Sequence, residues 1–318
     1  MPSDSAIHAI AGAAGGIIAM TITYPLIFIS TRAAVETKKE HKSVYDAVID
    51  IVKREGILGL YSGLNSSLLG VAITNGAYYY FYERSRGIVL ASRGGSKGMS
   101  TLESVLSGLI AGSATTIISN PVWVVQTSQA VRGMNQPSDT STPGVPAVKQ
   151  RMGLFETVDH IMRKDGISAF WRGIGPALVL VANPVLQYTV FEQLKNILVK
   201  RRTTLLRRPG SAAATAVLTD WDYFLLGALS KLVATSITYP YIVVKSRLQA
   251  GQANALKYKS SLDGLITILR NEGAEGLYKG VGSKLLQSVL TAAILFASQR
   301  RIYEATKKAM AATTTLAR

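Results

Sequence analysis

The chain has 318 residues, 48% of them hydrophobic and only 17% charged, and a mean hydropathy of +0.23, which points away from a pair of soluble domains and toward a membrane-embedded protein. The net charge of +16 fits anionic lipid headgroups, the funnelling of an anionic solute or an organelle-targeting signal better than a nucleic-acid polymer. With no cysteine and three scattered histidines (His8, His41 and His160), disulfides, thiolate nucleophiles and Cys-based metal sites are excluded, and no metal or cofactor is expected.

The first residues, Met1-Pro2-Ser3-Asp4, show neither an Arg-rich amphipathic presequence nor a charged signal-peptide start, so delivery to a membrane is expected to use internal information. Six apolar stretches, at about 8–33, 66–90, 101–130, 176–198, 220–248 and 284–306, have the roughly 20 residues needed to cross a hydrocarbon core. All are interrupted by Gly, Thr, Ser, Asn or Lys, residues tolerated in a span when they face a bundle interior or a wet cavity. A basic run Lys38-Lys39 with Lys42, and another of Lys200, Arg201, Arg202, Arg207 and Arg208, fall between spans. Short segments at 44–52, 154–162 and 262–269 carry apolar residues at helical spacing and are expected to lie along the membrane surface.

One phrase closes each of these short segments: Glu55-Gly56 to Tyr61-Ser62-Gly63, Asp165-Gly166 to Trp171-Arg172-Gly173, and Glu272-Gly273 to Tyr278-Lys279-Gly280. Each follows a proline that is expected to break a first span near its end: Pro25, Pro121 and Pro240. The chain therefore reads as three modules of about a hundred residues, 1–95, 96–205 and 206–318. The expected fold is an all-α membrane protein, six transmembrane helices in three pseudo-threefold repeats around a central space. Residues 133–150, rich in Pro, Ser, Thr and Gly, read as a loop inserted in the second module, and 201–219 as a connector. Gly12/Gly16 and Gly108/Gly112 have the G-x-x-x-G spacing of closely packed helices.

Polar residues form stripes on the later spans. Lys231, Thr235 and Thr238 share one helical face with Lys245 further along, and Lys284, Gln287 and Thr291 share another. No acid within the spans stands out to neutralise Lys231 or Lys284, so an anionic solute is the economical partner; the alternative is snorkelling or bonding to backbone carbonyls. Asn75, Tyr78 and Tyr82 share a face of the second span and are able to stack on a planar base or to join an interfacial aromatic belt. No catalytic constellation is present, and Gly280-Val281-Gly282-Ser283-Lys284 lacks the spacing of a phosphate loop.

Three such modules resemble the mitochondrial carrier family across nearly the whole chain. The resemblance implies a central substrate site that opens alternately to either side between two gates, with proline-kinked helices at Pro25, Pro121 and Pro240. The family's lower gate carries Pro-x-acid-x-x-base, but here those positions are Ile27 and Ser30, Trp123 and Gln126, and Ile242 and Lys245. No ordinary ion pair forms from these, and a cation–π contact between Trp123 and Lys245 is expected to replace it, with simple packing of Trp123 as the alternative. The upper gate keeps Glu83 with Arg86 and Glu192 with Lys195, while its third acid has become Arg300. Contact positions transferred from the family are Gly70 and Val71, Leu180 and Val181, and Gln287 and Ser288. With Asn183 and Gln187 for base edges and Lys231 and Lys284 for phosphates, they form the expected substrate site.

Within the family, Asn120-Pro121-Val122-Trp123 and Ala182-Asn183-Pro184-Val185-Leu186-Gln187 resemble the peroxisomal adenine nucleotide carriers. That implies a peroxisomal, multi-pass, monomeric exchanger of ATP for AMP or ADP, with the mitochondrial inner membrane as the alternative location. Carriage of CoA, NAD or FAD, or a non-transporting receptor or scaffold, are the other readings. The partners expected are an adenine nucleotide or related anionic nucleotide and membrane lipid.

Overall fold

A computed structural model of the protein describes residues 4–37, 44–92, 98–134, 152–206, 218–253 and 255–294. Among these the secondary structure is entirely helical: α1 Asp4–Val35, α2 Val44–Glu55, α3 Leu64–Ala91, α4 Thr101–Val131, α5 Leu154–Asp165, α6 Ile174–Val179, α7 Asn183–Leu206, α8 Asp220–Gln249 and α9 Ser261–Leu277, then α10 Val281–Ile294. The six expected spans correspond to α1, α3, α4, α6 with α7, α8 and α10. Four stretches, Gly15–Val35, Ile57–Ala91, Thr101–Val131 and Ile167–Thr204, are long and apolar enough to cross a membrane on composition alone. α8, which carries Lys231 and Lys245, is long enough but is not among them. Of the expected insertion at 133–150, residues 135–150 lie outside the described residues, as does Arg300.

Two expectations about the spans are corrected. The three prolines do not break their helices: Pro25, Pro121 and Pro240 lie inside α1, α4 and α8, which continue to Val35, Val131 and Gln249. Each removes one backbone N–H from the ladder, and the helix continues past it. The fourth span, conversely, is not continuous. It breaks into a 3₁₀ turn at Leu180–Ala182, just before Pro184, which cannot donate back to Leu180 and sits more comfortably in the first turn of a new helix.

The module phrase folds the same way each time. Gly56, Gly166 and Gly273 hold φ of +74°, +77° and +74°, turning the chain sharply after the surface helix. In the first two modules a 3₁₀ turn follows, Ile57–Tyr61 and Ile167–Trp171. The residue before each proline then fastens this turn to the first span. The Tyr24 hydroxyl donates to the Ser62 carbonyl (2.9 Å), the Asn120 amide to Arg172 (3.1 Å), and the Tyr239 hydroxyl to Lys279 (2.9 Å). Tyr24 also stacks on Tyr61, and Tyr239 on Tyr278.

The closing glycines serve a second purpose. Gly63, Gly173 and Gly280 are left-handed (φ +87°, +74° and +80°), and each lies against the backbone of the next module's first span. A Cβ would come within 3.3 Å of the Gln126 carbonyl oxygen at Gly63, 3.0 Å of Lys245's at Gly173 and 2.8 Å of Ser30's at Gly280. Gly280→Ala is therefore expected to cost about 2–3 kcal/mol in stability from the disfavoured φ and the contact together. Gly282→Ala, with nothing within 4 Å, is expected to be neutral or stabilising. Chemical denaturation of the two variants in detergent reads the difference.

Three apolar clusters, one per module, hold the proline side. Tyr24, Phe28, Ile29, Ile51 and Leu60 form the first; Val124, Val125, Ile161, Ala169 and Phe170 the second; Tyr239, Val243, Val244 and Ile268, with Ala34 of α1, the third. Each packs a first span against its surface helix and phrase. Of the two small-residue pairs, Gly108 and Gly112 give close approach, a Cβ there meeting the Tyr78 hydroxyl at 3.3 Å and Val181 at 2.5 Å. Gly16 has open space around it and does not do the packing its spacing implied.

Candidate functional site

A cavity of about 780 Å³ opens between α3, α4, the broken α6/α7 span and α8. One wall is aromatic. Tyr78 and Tyr82 stack with ring centroids 5.9 Å apart, and both line the space with Asn75. On the α4 wall Gly108, Gly112, Thr115, Ser119 and Trp123 recur on one helical face. Leu180 and Val181 enter from the opposite side because the chain unwinds there. Lys245, at the floor, is the one charged residue among those lining the cavity.

Two further lysines stand on α8 and α10. Lys231 is exposed, yet it does not face lipid. Leu225, Leu229 and Ile237, all at least half exposed, mark the outer stripe of α8, and helical geometry sets Lys231 about 180° from its middle. On α10 the outer stripe is Leu286 and Leu290, and half-buried Lys284 points away from it. The charges of Lys231 and Lys245 both act on Lys284. Among the described residues none of these three ammonium groups has a carboxylate or hydrogen-bond partner. Lys284 thus feels the cations at both places along α8, an arrangement that repels itself unless an anion joins it.

The other site residues expected from the sequence are placed differently. Gly70 is buried under Trp123, where a Cβ would meet the ring at 3.3 Å, and Val71 is exposed on the same helix. The Asn183 amide donates to the Thr238 hydroxyl (2.6 Å), so its NH₂ fastens α7 to α8. Gln187 is half-buried and does not line the cavity. Gln287 donates to Thr291, whose hydroxyl reaches Thr23 on α1; Ser288 bonds its own helix at the Lys284 carbonyl. Through Thr291 the first of these bonds ties α10 to α1, and Lys284 points away from the outer stripe of that helix.

The gates also differ from expectation. Trp123 donates its indole N–H to Thr74 (3.2 Å) and lies over Gly70, and no cation–π contact joins it to Lys245 among the described residues. Its ring is held by the first module, not the third. Ile27 and Ile242 pack into the apolar clusters, and Ser30 bonds the Ile27 carbonyl. Glu83–Arg86 and Glu192–Lys195 pair within their own helices, at 3.4 and 2.7 Å, rather than between helices.

The bonds around the expected lower-gate positions are instead between neutral groups, of which the sequence reading names only Gln126 as a gate residue. Gln126 donates to the Tyr24 hydroxyl (3.5 Å), Thr127 to Gln249 (3.3 Å), and Gln249 to Asn120 (3.1 Å); Ser66 donates to Gln129 (2.6 Å). All are buried. A repeat-aligned reading of the residues around each proline holds the signal, since Tyr24, Asn120 and Tyr239 occupy equivalent places. Beneath them the phrase acids are paired. Asp165 is held below the usual carboxylate range chiefly by its hydrogen bond to Arg172. At Glu272 burial works upward, but Arg247 and Lys279 outweigh it.

Thr115 is a further oddity of the cavity wall. Thr21, Thr23, Thr116 and Thr238 each bond the carbonyl one turn back, but the Thr115 hydroxyl, in a residue 3% exposed, has no partner among the described residues. Thr115→Val is expected to raise the unfolding midpoint by about 2 °C, since it removes an unpaired buried oxygen at constant shape; a thermal melt in detergent reads it.

The chain belongs to the mitochondrial carrier protein family, whose profile matches residues 2–92, 97–202 and 217–313. It is 38% identical to the peroxisomal nicotinamide adenine dinucleotide carrier of Arabidopsis thaliana over 96% of this chain and 97% of that one. It is 31% identical to peroxisomal membrane protein PMP34 of Mus musculus (95% and 94%) and 30% identical to peroxisomal membrane protein PMP47B of Candida boidinii (92% and 84%).

Proposed function

We propose that the protein is an antiporter of the peroxisomal membrane that exchanges adenine nucleotides, ATP for AMP or ADP, by alternating access. The observation that carries this reading is that Lys284 feels both Lys231 and Lys245 with no acid paired to any of the three among the described residues, while Lys245 lines the cavity that Tyr78 and Tyr82 wall. Phosphates neutralise the cations, and the tyrosines offer a face for a base, a contact worth about 1–3 kcal/mol in nucleic-acid complexes. The cavity's volume is within the range that holds small ligands. The peroxisomal location rests on the relatives named above. In the conformation described, the proline side is sealed by α1, α4 and α8 while the acids of the upper gate pair within their own helices, the arrangement of a carrier open on the side away from the prolines.

A second reading is favoured by the Arabidopsis relative, whose name gives it NAD. NAD shares adenine and two phosphates with ADP and meets the same residues. Purified protein in liposomes decides between them. Uptake of labelled ATP that requires internal AMP or ADP supports the first; exchange confined to NAD supports the second; no exchange of any nucleotide overturns both.

A further inference from the structure

The sealed ends of α1, α4 and α8 are joined by a contact that recurs around the axis with one member missing. Arg32, seven residues after Pro25, donates from Nε to the Ala130 carbonyl (2.6 Å) and grips Glu55 with both terminal nitrogens. Arg247, seven residues after Pro240, donates from Nε to the Ala34 carbonyl (3.0 Å) and grips Glu272 in the same way. Each arginine thus ties its own module's acid to the carbonyl nine residues past the next module's proline. The third such place, seven residues after Pro121, is Ser128. A serine side chain is too short to bridge an acid and a carbonyl of the next module. The acid of that module, Asp165, is taken by Arg172 from its own phrase at 2.8 Å.

The junctions are therefore unequal. α1 is held to α4 by Arg32 and to α8 by Arg247, and past α8 the Gln252 amide bonds the Val35 carbonyl and Lys279 bonds the Glu36 carbonyl. Between α4 and α8 the side-chain bonds are uncharged: Thr127 to Gln249 and Gln249 to Asn120. Charge-assisted bonds are roughly twice as strong as neutral ones. The cavity also leads to this junction, since Lys245 lines it together with Asn120 and Trp123. Building on the carrier reading, we infer that the proline side opens first between α4 and α8, and that the solute passes there with Lys245 at the mouth.

The chain has no cysteine, so single cysteines report cleanly. Thr31, Thr127 and Ser246 are equivalent, each six residues after its module's proline. In nucleotide-loaded liposomes with a charged maleimide on both faces, Thr127→Cys is expected to be labelled about tenfold faster than Thr31→Cys or Ser246→Cys, the factor set by an unequal loss of strong bonds. Equal labelling, or faster labelling at either other position, overturns the inference. Ser128→Arg offers the missing clamp from the other direction. It is expected to slow exchange about fivefold, with KM within about twofold; an unchanged rate contradicts the inference. Wild-type liposomes that exchange no nucleotide overturn the carrier reading, whereas exchange accompanied by equal labelling overturns the junction alone.

Discussion

Lys284→Gln lowers nucleotide exchange by about 100-fold or more while leaving the protein folded. The expectation follows from the electrostatics of the interior. Lys284 has no acid or hydrogen-bond partner among the described residues, and it stands near Lys231 and Lys245. Removing its charge takes nothing from the packing of the empty protein and relieves repulsion. For a bound phosphate the opposite holds: losing one member of a desolvated ion pair costs about 3–5 kcal/mol, which is 10²-fold or more in binding. Uptake into loaded liposomes and a thermal melt, measured together, read both halves. A lysine that served only to hold helices together would lower the melting point along with the rate. Lys284→Arg, which keeps the charge, is expected to retain part of the activity.

Arg247→Met has the largest expected effect on stability. Arg247 is 1% exposed and joins two modules: it holds Glu272 of its own module and the Ala34 carbonyl of the first. Its loss leaves Glu272 with Lys279 alone and orphans the carbonyl. Breaking a buried pair costs about 3–5 kcal/mol, and a melting point about 10 °C lower is expected for a chain of this size. The same pair sets an acid limit. Glu272 titrates below its ordinary 4.5 in the folded protein, so the folded state binds its proton less readily than the unfolded one. Its contribution is complete above the unfolded value and is lost as pH falls through the folded value. In Glu272→Gln that fall in stability is expected to flatten below about pH 4.5.

Much of this architecture was legible in the sequence because it is written three times. The prolines, the Glu/Asp-Gly turns and the closing glycines recur at fixed places. The structure gives each a physical reason: a fastened residue before proline, a positive φ after the surface helix, and a backbone carbonyl pressed against each of the closing glycines. The interior lysines were legible too, since a cation inside a span has few uses. What misled was borrowing a paired role for a single residue. Trp123 occupies a gate position but leans on Thr74 and Gly70, contacts set by helix rotation that no spacing records. Gln287 and Asn183 looked like readers of a solute, yet each spends its amide on a neighbouring threonine. The break at Leu180–Ala182 was announced by Pro184 and hidden by the apolarity of the span around it. The neutral gate was hidden because Tyr, Asn and Gln near a helix end carry little signal until the helices are placed side by side.

The most direct measurement is an experimental structure of the protein with a bound adenine nucleotide. The account predicts phosphate oxygens within about 3 Å of the Lys231 and Lys284 ammonium groups and the base against Tyr78. Phosphates lodged elsewhere, with those two lysines paired to carboxylates or turned toward lipid, would contradict it.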